Sequence, residues 1–159
     1  MEKTNAMRAL DKNKIAYNSY SYDAKDGKVD GVSVANKIGK EVGAVFKTLV
    51  NQGASKEFYI FVVPVAEELD LKKAAKVVGE KRIEMINPKD LLKTTGYIKG
   101  GCSPIGMKKL YKTVIDESAL AYENIIVSAG KIGSQIEINP NDLATLIRGQ
   151  FEPICVDRG

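Results

Sequence analysis

The residues best suited to chemistry lie in a glycine-rich stretch, residues 99–106, which reads Lys-Gly-Gly-Cys-Ser-Pro-Ile-Gly. Glycine, proline and serine at this density do not fit a helix interior or a central strand. A loop of this kind can expose amide N–H groups, which bind a carbonyl oxygen, a phosphate or a ribose. The same composition is also common in loops that only turn a corner, so both interpretations stay open on composition alone.

A second candidate is the lysine at position 47, within a segment that alternates as a β-strand does. Lys47 shares one predicted face with Val45 and Leu49, because side chains in a strand repeat every two residues. A buried ammonium without a partner is costly, so Lys47 should meet an anion or open into a cleft. The other interpretation is a lysine at the rim of the sheet, with its stem packed and its ammonium in water.

A third candidate is residues 128–133, Ser-Ala-Gly-Lys-Ile-Gly, which directly follow an apolar strand pattern. This loop could present amide groups next to the first one. It could equally be a turn between two strands, which has the same glycine content.

The residue types that are absent restrict the possible chemistry. The chain has no histidine, which excludes histidine bases, catalytic triads and histidine metal ligands. Cys102 and Cys155 are far apart in sequence and form no paired-ligand pattern, which argues against structural zinc. No phosphate-binding loop or strand-linked Gly-x-Gly-x-x-Gly motif is present. An enzyme with this sequence would use lysine, serine, backbone amides, carboxylates or the substrate itself, and we expect no metal and no cofactor.

Length and composition predict a single domain over residues 1–159, large enough for a sizeable core. No apolar run is long enough to cross a membrane and the N-terminus lacks a secretory pattern, so we expect a cytoplasmic protein that binds no membrane. The net charge of +4 permits binding to a polyanion. Dedicated DNA-binding domains are usually more basic, so DNA is not an expected partner.

These candidates must be positioned by elements that alternate between helix and strand. Helices are predicted at 5–13, 33–39, 71–78, 88–96 and 140–147, and strands at 15–22, 44–51, 57–65, 112–115, 124–128, 135–138 and 151–156. Asp70 is the expected cap of the third helix and Gly79 its stop. The segments 44–51 and 57–65 should form a hairpin. This order predicts an α/β fold: a mixed sheet or partly closed barrel flanked by short helices.

Five short segments carry a family resemblance. They are Phe-Lys-Thr-Leu at 46–49, Leu-Asp-Leu-Lys-Lys at 69–73, Thr-Gly-Tyr at 95–97, Gly-Gly-Cys-Ser-Pro at 100–104 and Ser-Ala-Gly-Lys at 128–131. With these segments in this order, the chain resembles the YbaK-type Cys-tRNA(Pro) deacylases, members of the prolyl-tRNA-synthetase editing-domain superfamily. The resemblance covers nearly the whole chain.

The resemblance implies a free-standing editing enzyme, a hydrolase or lyase that removes mischarged cysteine from tRNA(Pro). Its partners would be aminoacylated tRNA(Pro) and, for some members, prolyl-tRNA synthetase. In this family the thiol of the substrate cysteine is thought to attack its own carbonyl and release a cyclic thiolactone. The family's catalytic positions fall on Lys47, Gly100 and Gly101. Its substrate-binding positions fall on four further residues: Tyr22, Ser103, Ser128 and Gly130.

Two positions restrict what the resemblance transfers. Some family members carry an aspartate where this chain has Gln135, so no carboxylate role is expected there. Cys102 occupies the variable position of the loop motif, and we expect it to be a packing residue and not the nucleophile.

Other functions remain open at the level of sequence. The same scaffold could remove alanine from tRNA(Pro) with water as the nucleophile, bind tRNA without catalysis, or serve as a structural or interaction protein. Lys108, Lys109 and Lys112 could follow the acceptor stem of a tRNA, or they could form a solvated charged face.

Overall fold

The computed structural model of the protein describes residues 3–157. The α-helices of this part are α1 (Asn5–Lys12), α2 (Gly31–Lys37), α3 (Leu71–Val78), α4 (Leu91–Thr95) and α5 (Pro140–Ile147). The strands are β1 (Asn18–Ser21), β2 (Phe46–Gly53), β3 (Phe58–Pro64), β4 (Ile83–Met85), β5 (Lys112–Asp116), β6 (Ile125–Ser128), β7 (Ser134–Ile138) and β8 (Gln150–Glu152). Short 3₁₀ turns cover Val42–Ala44, Pro88–Asp90 and Glu117–Ala121.

The strands form two sheets. The larger one has the order β4-β2-β3-β5-β8 and is mixed: β2 pairs with β3 and β4 antiparallel, whereas β5 pairs with β3 and β8 in parallel. The smaller one has the order β1-β7-β6 and is antiparallel. A parallel bridge between Val45 and Ile126 joins them just before β2. The predicted α/β fold with a mixed sheet is confirmed, and the described strands do not close into a barrel.

The main core lies between the two sheets. Residues of β2, β3 and β5 pack there against β6 and β7, and α1 and α5 add Met7, Leu10 and Leu143. A second core fills the other face of the larger sheet, where α3 packs. A third, much smaller cluster joins α2 to the bridge between the sheets through Ala35, Val45 and Ile126.

Capping explains where several helices begin and end. The Asp70 side chain accepts hydrogen bonds from the backbone N–H groups of Lys72 and Lys73, and Gly79 ends α3 with a φ of 76°. The predicted bounds of α3 are therefore confirmed. Asn139 caps α5 in the same way and Pro140 occupies its first position, also as predicted.

Some boundaries differ from the prediction for identifiable reasons. Helix α2 begins at Gly31 and not at Ser33, because Asp30 is the cap and accepts the Ser33 N–H. The segment after Asn87 starts as a 3₁₀ turn before α4. The final strand covers only Gln150–Glu152, and Cys155 forms an isolated bridge with Leu69.

Two further differences concern the shortest strands. β1 is restricted to Asn18–Ser21, because only these residues pair with β7. Strand β4 was not predicted, since it has three residues of which two are exposed, and it exists through pairing with β2.

Candidate functional site

A cavity of about 570 Å³ opens where β1, the start of β2 and the end of β6 meet two loops and the beginning of α2. Its walls come from parts of the chain that are far apart in the sequence. The lining residues are Tyr22, Gly27, Val29, Asp30, Gly31, Val34, Val45, Phe46, Lys47, Thr48, Val65, Lys99, Gly100, Cys102, Ser128 and Gln135. Of the residues singled out in the sequence, Lys47, Gly100, Tyr22 and Ser128 thus meet in one cavity, whereas Gly101, Ser103 and Gly130 do not line it.

Lys47 is the second residue of β2. It pairs with Val63 of β3, and Leu49 on the same face packs into the second core, which confirms the predicted alternation. The half-buried side chain turns to the cavity, and its ammonium donates a long hydrogen bond of 3.4 Å to the carbonyl of Val65. An ammonium carries three donors, and a neutral carbonyl can satisfy only one of them. Lys47 therefore opens into a cleft, as one of the two sequence interpretations predicted.

The first glycine loop lines the cavity with Gly100 and Cys102. Gly100 has a φ of 86°, in the region that favours glycine. Within residues 3–157, the N–H groups of Gly100 and Cys102 have no hydrogen-bond acceptor. The N–H of Gly101 is different, because it donates to the carbonyl of Ile98 at 3.0 Å and closes the turn. The amides suited to binding an oxygen are thus those of Gly100 and Cys102.

Gly101 has a packing role in this structure. A Cβ built on it would lie 3.0 Å from the backbone of Lys131 and of Ile132, in the second glycine loop. Backbone atoms cannot yield as a flexible side chain can, so only glycine allows the two loops to approach this closely. Gly101 therefore shapes the cavity through the packing of the two loops, although it does not line the cavity.

Tyr97 contacts both glycine-rich loops, residues 99–106 and 128–133. The sequence analysis assigned it no role. Its hydroxyl donates a 2.5 Å hydrogen bond to the carbonyl of Ile105. Its ring leaves so little space that a Cβ on Gly130 would lie 2.8 Å from it, and one on Gly106 would lie 2.9 Å from its hydroxyl. Desolvation, the main cause, raises the pKa of Tyr97 to about 12, so the hydroxyl remains a donor at neutral pH. The sequence signal that could have identified Tyr97 was its place in the Thr-Gly-Tyr segment, one of the five that carry the family resemblance.

Ser128 and Ser103 differ in what their hydroxyls face. Ser128 lines the cavity and accepts the Gly130 N–H at 3.1 Å, which leaves its own O–H to donate. Ser103 is fully buried and accepts the N–H of Ile105 at 3.2 Å, inside the loop. Only Ser128 is therefore placed to contact a ligand directly.

Two hydroxyls in the cavity wall lack a partner. The hydroxyls of Tyr22 and Thr48 are buried and make no hydrogen bond within the described residues. Buried polar groups are nearly always satisfied, so each such group requires an explanation, and a bound ligand is one. Gln135 lines the same cavity. Thr48 was missed in the sequence because a threonine in a strand pattern carries no functional signal.

The cysteines are poor candidates for nucleophiles. Cys102 lines the cavity but packs against the main core, and burial raises the pKa of its thiol to about 11. Burial also raises the pKa of Cys155 to about 12. Both thiols are protonated at neutral pH, whereas the thiolate is the nucleophilic form. The structure agrees with the packing role predicted for Cys102.

The wall opposite the glycine loops is formed by residues 27–34. Gly31 is in very close contact with Val65, since a Cβ on Gly31 would lie 2.2 Å from that side chain. Asp30 lies at the cavity and holds the start of α2 with both carboxylate oxygens, one at 2.6 Å from the Ser33 hydroxyl and one at 3.1 Å from its N–H. An aspartate before glycine in a charged loop carries no specific signal, so this wall was missed.

The cavity lining includes one lysine, Lys99, to which the sequence analysis assigned no role. Lys99 lines the cavity, whereas Lys108, Lys109 and Lys112 are exposed elsewhere and do not line it.

Within residues 3–157, no group of three or more histidine, cysteine or acidic residues could hold a metal ion. No helix in the described part of the chain is long and apolar enough to span a membrane.

Three comparisons place the chain among known proteins. The model of the aminoacyl-tRNA editing domain family matches residues 29–146. The EbsC protein of Enterococcus faecalis, described as an inferred Cys-tRNA(Pro)/Cys-tRNA(Cys) deacylase, is 48% identical over 96% of this chain and 93% of its own. A proline–tRNA ligase of Thermosipho melanesiensis is 28% identical over 77% of this chain and 23% of the ligase.

The fold also matches a solved structure. A crystal structure described as an inferred trans-editing enzyme for prolyl-tRNA synthetase covers 99% of this chain and all of its own, with a TM-score of 0.83 and 24% identity. An identity of 24% supports a shared fold only. The family assignment rests on the family model, which matches most of the chain. The chain belongs to the aminoacyl-tRNA editing domain family.

Proposed function

We propose that this protein is a trans-editing deacylase that removes cysteine from mischarged tRNA(Pro). The observation that carries the proposal is the meeting, in one cavity, of Lys47 with Gly100 and Cys102, whose amides have no acceptor within residues 3–157. The 48% identical Enterococcus faecalis relative supports the substrate class. The mischarged tRNA is the partner that this activity requires.

The substrate ester is already activated, so the enzyme needs donors more than a strong base. The amides of Gly100 and Cys102 would stabilise the oxyanion that develops on the ester carbonyl, an effect of about 3–4 kcal/mol per donor in known enzymes. Lys47 would hold the terminal nucleotide or the carbonyl in register. The Ser128 hydroxyl can donate from the same side of the cavity.

The nucleophile in this proposal is the thiol of the substrate cysteine. Its sulfur forms a bond to the carbonyl carbon, the ester C–O bond breaks, and the ribose hydroxyl leaves with the proton that the thiol gives up. The products are a free tRNA 3′ end and a cyclic thiolactone. Neither Cys102 nor a histidine is needed, which fits a protonated Cys102 and a chain without histidine.

Thiol chemistry also accounts for selectivity. Prolyl and cysteinyl groups are similar in volume, and a pocket distinguishes one methylene by only about 10–200-fold. Proline carries no group that could attack its own ester, so Pro-tRNA(Pro) is spared for a chemical reason.

A panel of substrates tests the proposal. The purified protein is incubated with tRNA(Pro) charged with cysteine, S-methylcysteine, serine, alanine or proline, and the remaining ester is measured. We expect rapid loss of cysteine and at least about 100-fold slower loss from the other four, because they lack a free thiol. S-methylcysteine is the matched control, since it keeps the size of the side chain and blocks the nucleophile.

Each other outcome has a defined meaning. Comparable rates for cysteine, serine and alanine would contradict the thiol mechanism and indicate water as the nucleophile. Binding of tRNA(Pro) without loss of any ester would indicate a non-catalytic module. Neither binding nor ester loss would contradict the proposed function altogether.

A further inference from the structure

The side chain of Lys37, the last residue of α2, reaches back to the loop that precedes this helix. Its ammonium donates to the carbonyl of Asp23 at 2.6 Å, to a carboxylate oxygen of Asp26 at 2.8 Å and to the carbonyl of Lys28 at 2.9 Å. All three donors of the ammonium are therefore used within residues 23–30, hereafter the 23–30 loop. The side chain is only 22% exposed, so these bonds are partly shielded from water.

The 23–30 loop has little else to hold it in place. None of its residues is buried, so it contributes no side chain to a core. Apart from the Asp30 cap of α2, its other hydrogen bonds are local ones, such as those from Gly27 N–H to the Ala24 carbonyl and from Lys25 N–H to the Asp23 carboxylate. Asp30 ties the end of this loop to the first turn of α2, and Lys37 ties residues 23–28 to the last turn of the same helix.

The same loop forms a wall of the cavity. Gly27, Val29 and Asp30 line it. A methyl group of Val29 lies 4.0 Å from the position that a Cβ on Gly100 would occupy, so the loop approaches the first glycine loop at Gly100. The Lys37 ammonium also lies 5.8 Å from the ring centre of Tyr22, another lining residue.

We propose that Lys37 is a positioning residue, which holds the 23–30 loop against the aminoacyl end of the bound tRNA. The proposal rests on the proposed function and adds to it a residue outside the cavity lining. A wall contacts the substrate in the ground state and in the transition state alike, so its loss should weaken binding more than it slows the chemical step.

The test compares Lys37→Met with Lys25→Met in the full chain. Lys25 is an exposed lysine of the same loop, so its replacement removes the same charge and none of the three loop contacts. For Lys37→Met we expect a KM for Cys-tRNA(Pro) about 10-fold higher and a kcat within about 3-fold of the original. Amide hydrogen exchange at residues 27–29, measured without tRNA, should become about 10-fold faster. Lys25→Met should change neither quantity.

The outcomes separate this proposal from the proposed function. An equal rise in KM for both variants would mean that each lysine only attracts tRNA by its charge, and would overturn the positioning role. Three results for Lys37→Met would also overturn the positioning role. They are unchanged amide hydrogen exchange at residues 27–29, faster exchange with an unchanged KM, and a fall in kcat alone. If the unmodified protein shows no deacylase activity but Lys37→Met still speeds up exchange in the loop, the proposed function would be contradicted. Lys37 would then have a structural role only.

Discussion

The two walls of the cavity are held in different ways. The wall that carries the donor amides consists of the 99–102 and 128–133 loops, which touch backbone to backbone at Gly101 and enclose the buried ring of Tyr97. The opposite wall consists of the 23–30 loop and the start of α2, which rest on a small apolar cluster and on the polar contacts of Lys37.

This difference suggests a division of tasks. Groups that stabilise a transition state must be held rigidly, which close backbone packing achieves without long side chains. A wall held by hydrogen bonds near the surface can yield while a large substrate enters. We therefore expect changes in the glycine loops to affect stability and catalysis together, and changes in the 23–30 loop to affect mainly substrate binding.

The largest expected effect on stability comes from Gly130→Ala, compared with Gly27→Ala in the opposite wall. Both glycines have a positive φ, of 103° and 76°, but only at Gly130 would the new Cβ meet a packed ring, whereas at Gly27 nothing lies within 4 Å. Gly130→Ala should lower the free energy of unfolding by about 3 kcal/mol, and Gly27→Ala by about 1 kcal/mol. Urea unfolding measures both. Equal losses would mean that the two walls are packed alike.

A smaller effect is expected from removing one tyrosine hydroxyl in each wall region. Tyr97→Phe leaves the buried carbonyl of Ile105 without its donor and should cost about 1–2 kcal/mol of unfolding free energy. The Tyr22 hydroxyl has no hydrogen-bond partner in the described part of the chain, so Tyr22→Phe should change the free energy of unfolding by less than about 0.5 kcal/mol.

The same pair of variants distinguishes stability from substrate binding. If the Tyr22 hydroxyl bonds the substrate, Tyr22→Phe should raise the KM for Cys-tRNA(Pro) about 5-fold. A marked loss of stability in Tyr22→Phe, with Tyr97→Phe as stable as the original protein, would reverse the comparison.

Much of the fold was predictable from local sequence patterns. Helix α3 has an aspartate cap, an apolar stripe and a glycine stop, and its predicted bounds agree with the structure. Strand β4 and the bounds of β8 were not predictable, because short strands exist through their pairing partners and not through their own pattern.

The candidate site was predictable only in part. The glycine loops, Lys47 and Tyr22 carry local signals or a family resemblance, and the structure places Lys47, Gly100, Tyr22 and Ser128 around one cavity. Lys37 and Thr48 carry no such signal, because a lysine near a helix end and a threonine in a strand are both common. Their relevance depends on what the fold places opposite them.

The most direct test of the account is single-turnover deacylation of Cys-tRNA(Pro) by Lys47→Ala, with Cys102→Ala as the control from the same cavity. Both variants must first unfold at urea concentrations close to that of the original protein. We expect Lys47→Ala to be slower by about 100-fold or more, because the substrate loses its charged contact, and Cys102→Ala to stay within about 3-fold. Full activity in Lys47→Ala, or an inactive but folded Cys102→Ala, would contradict the account.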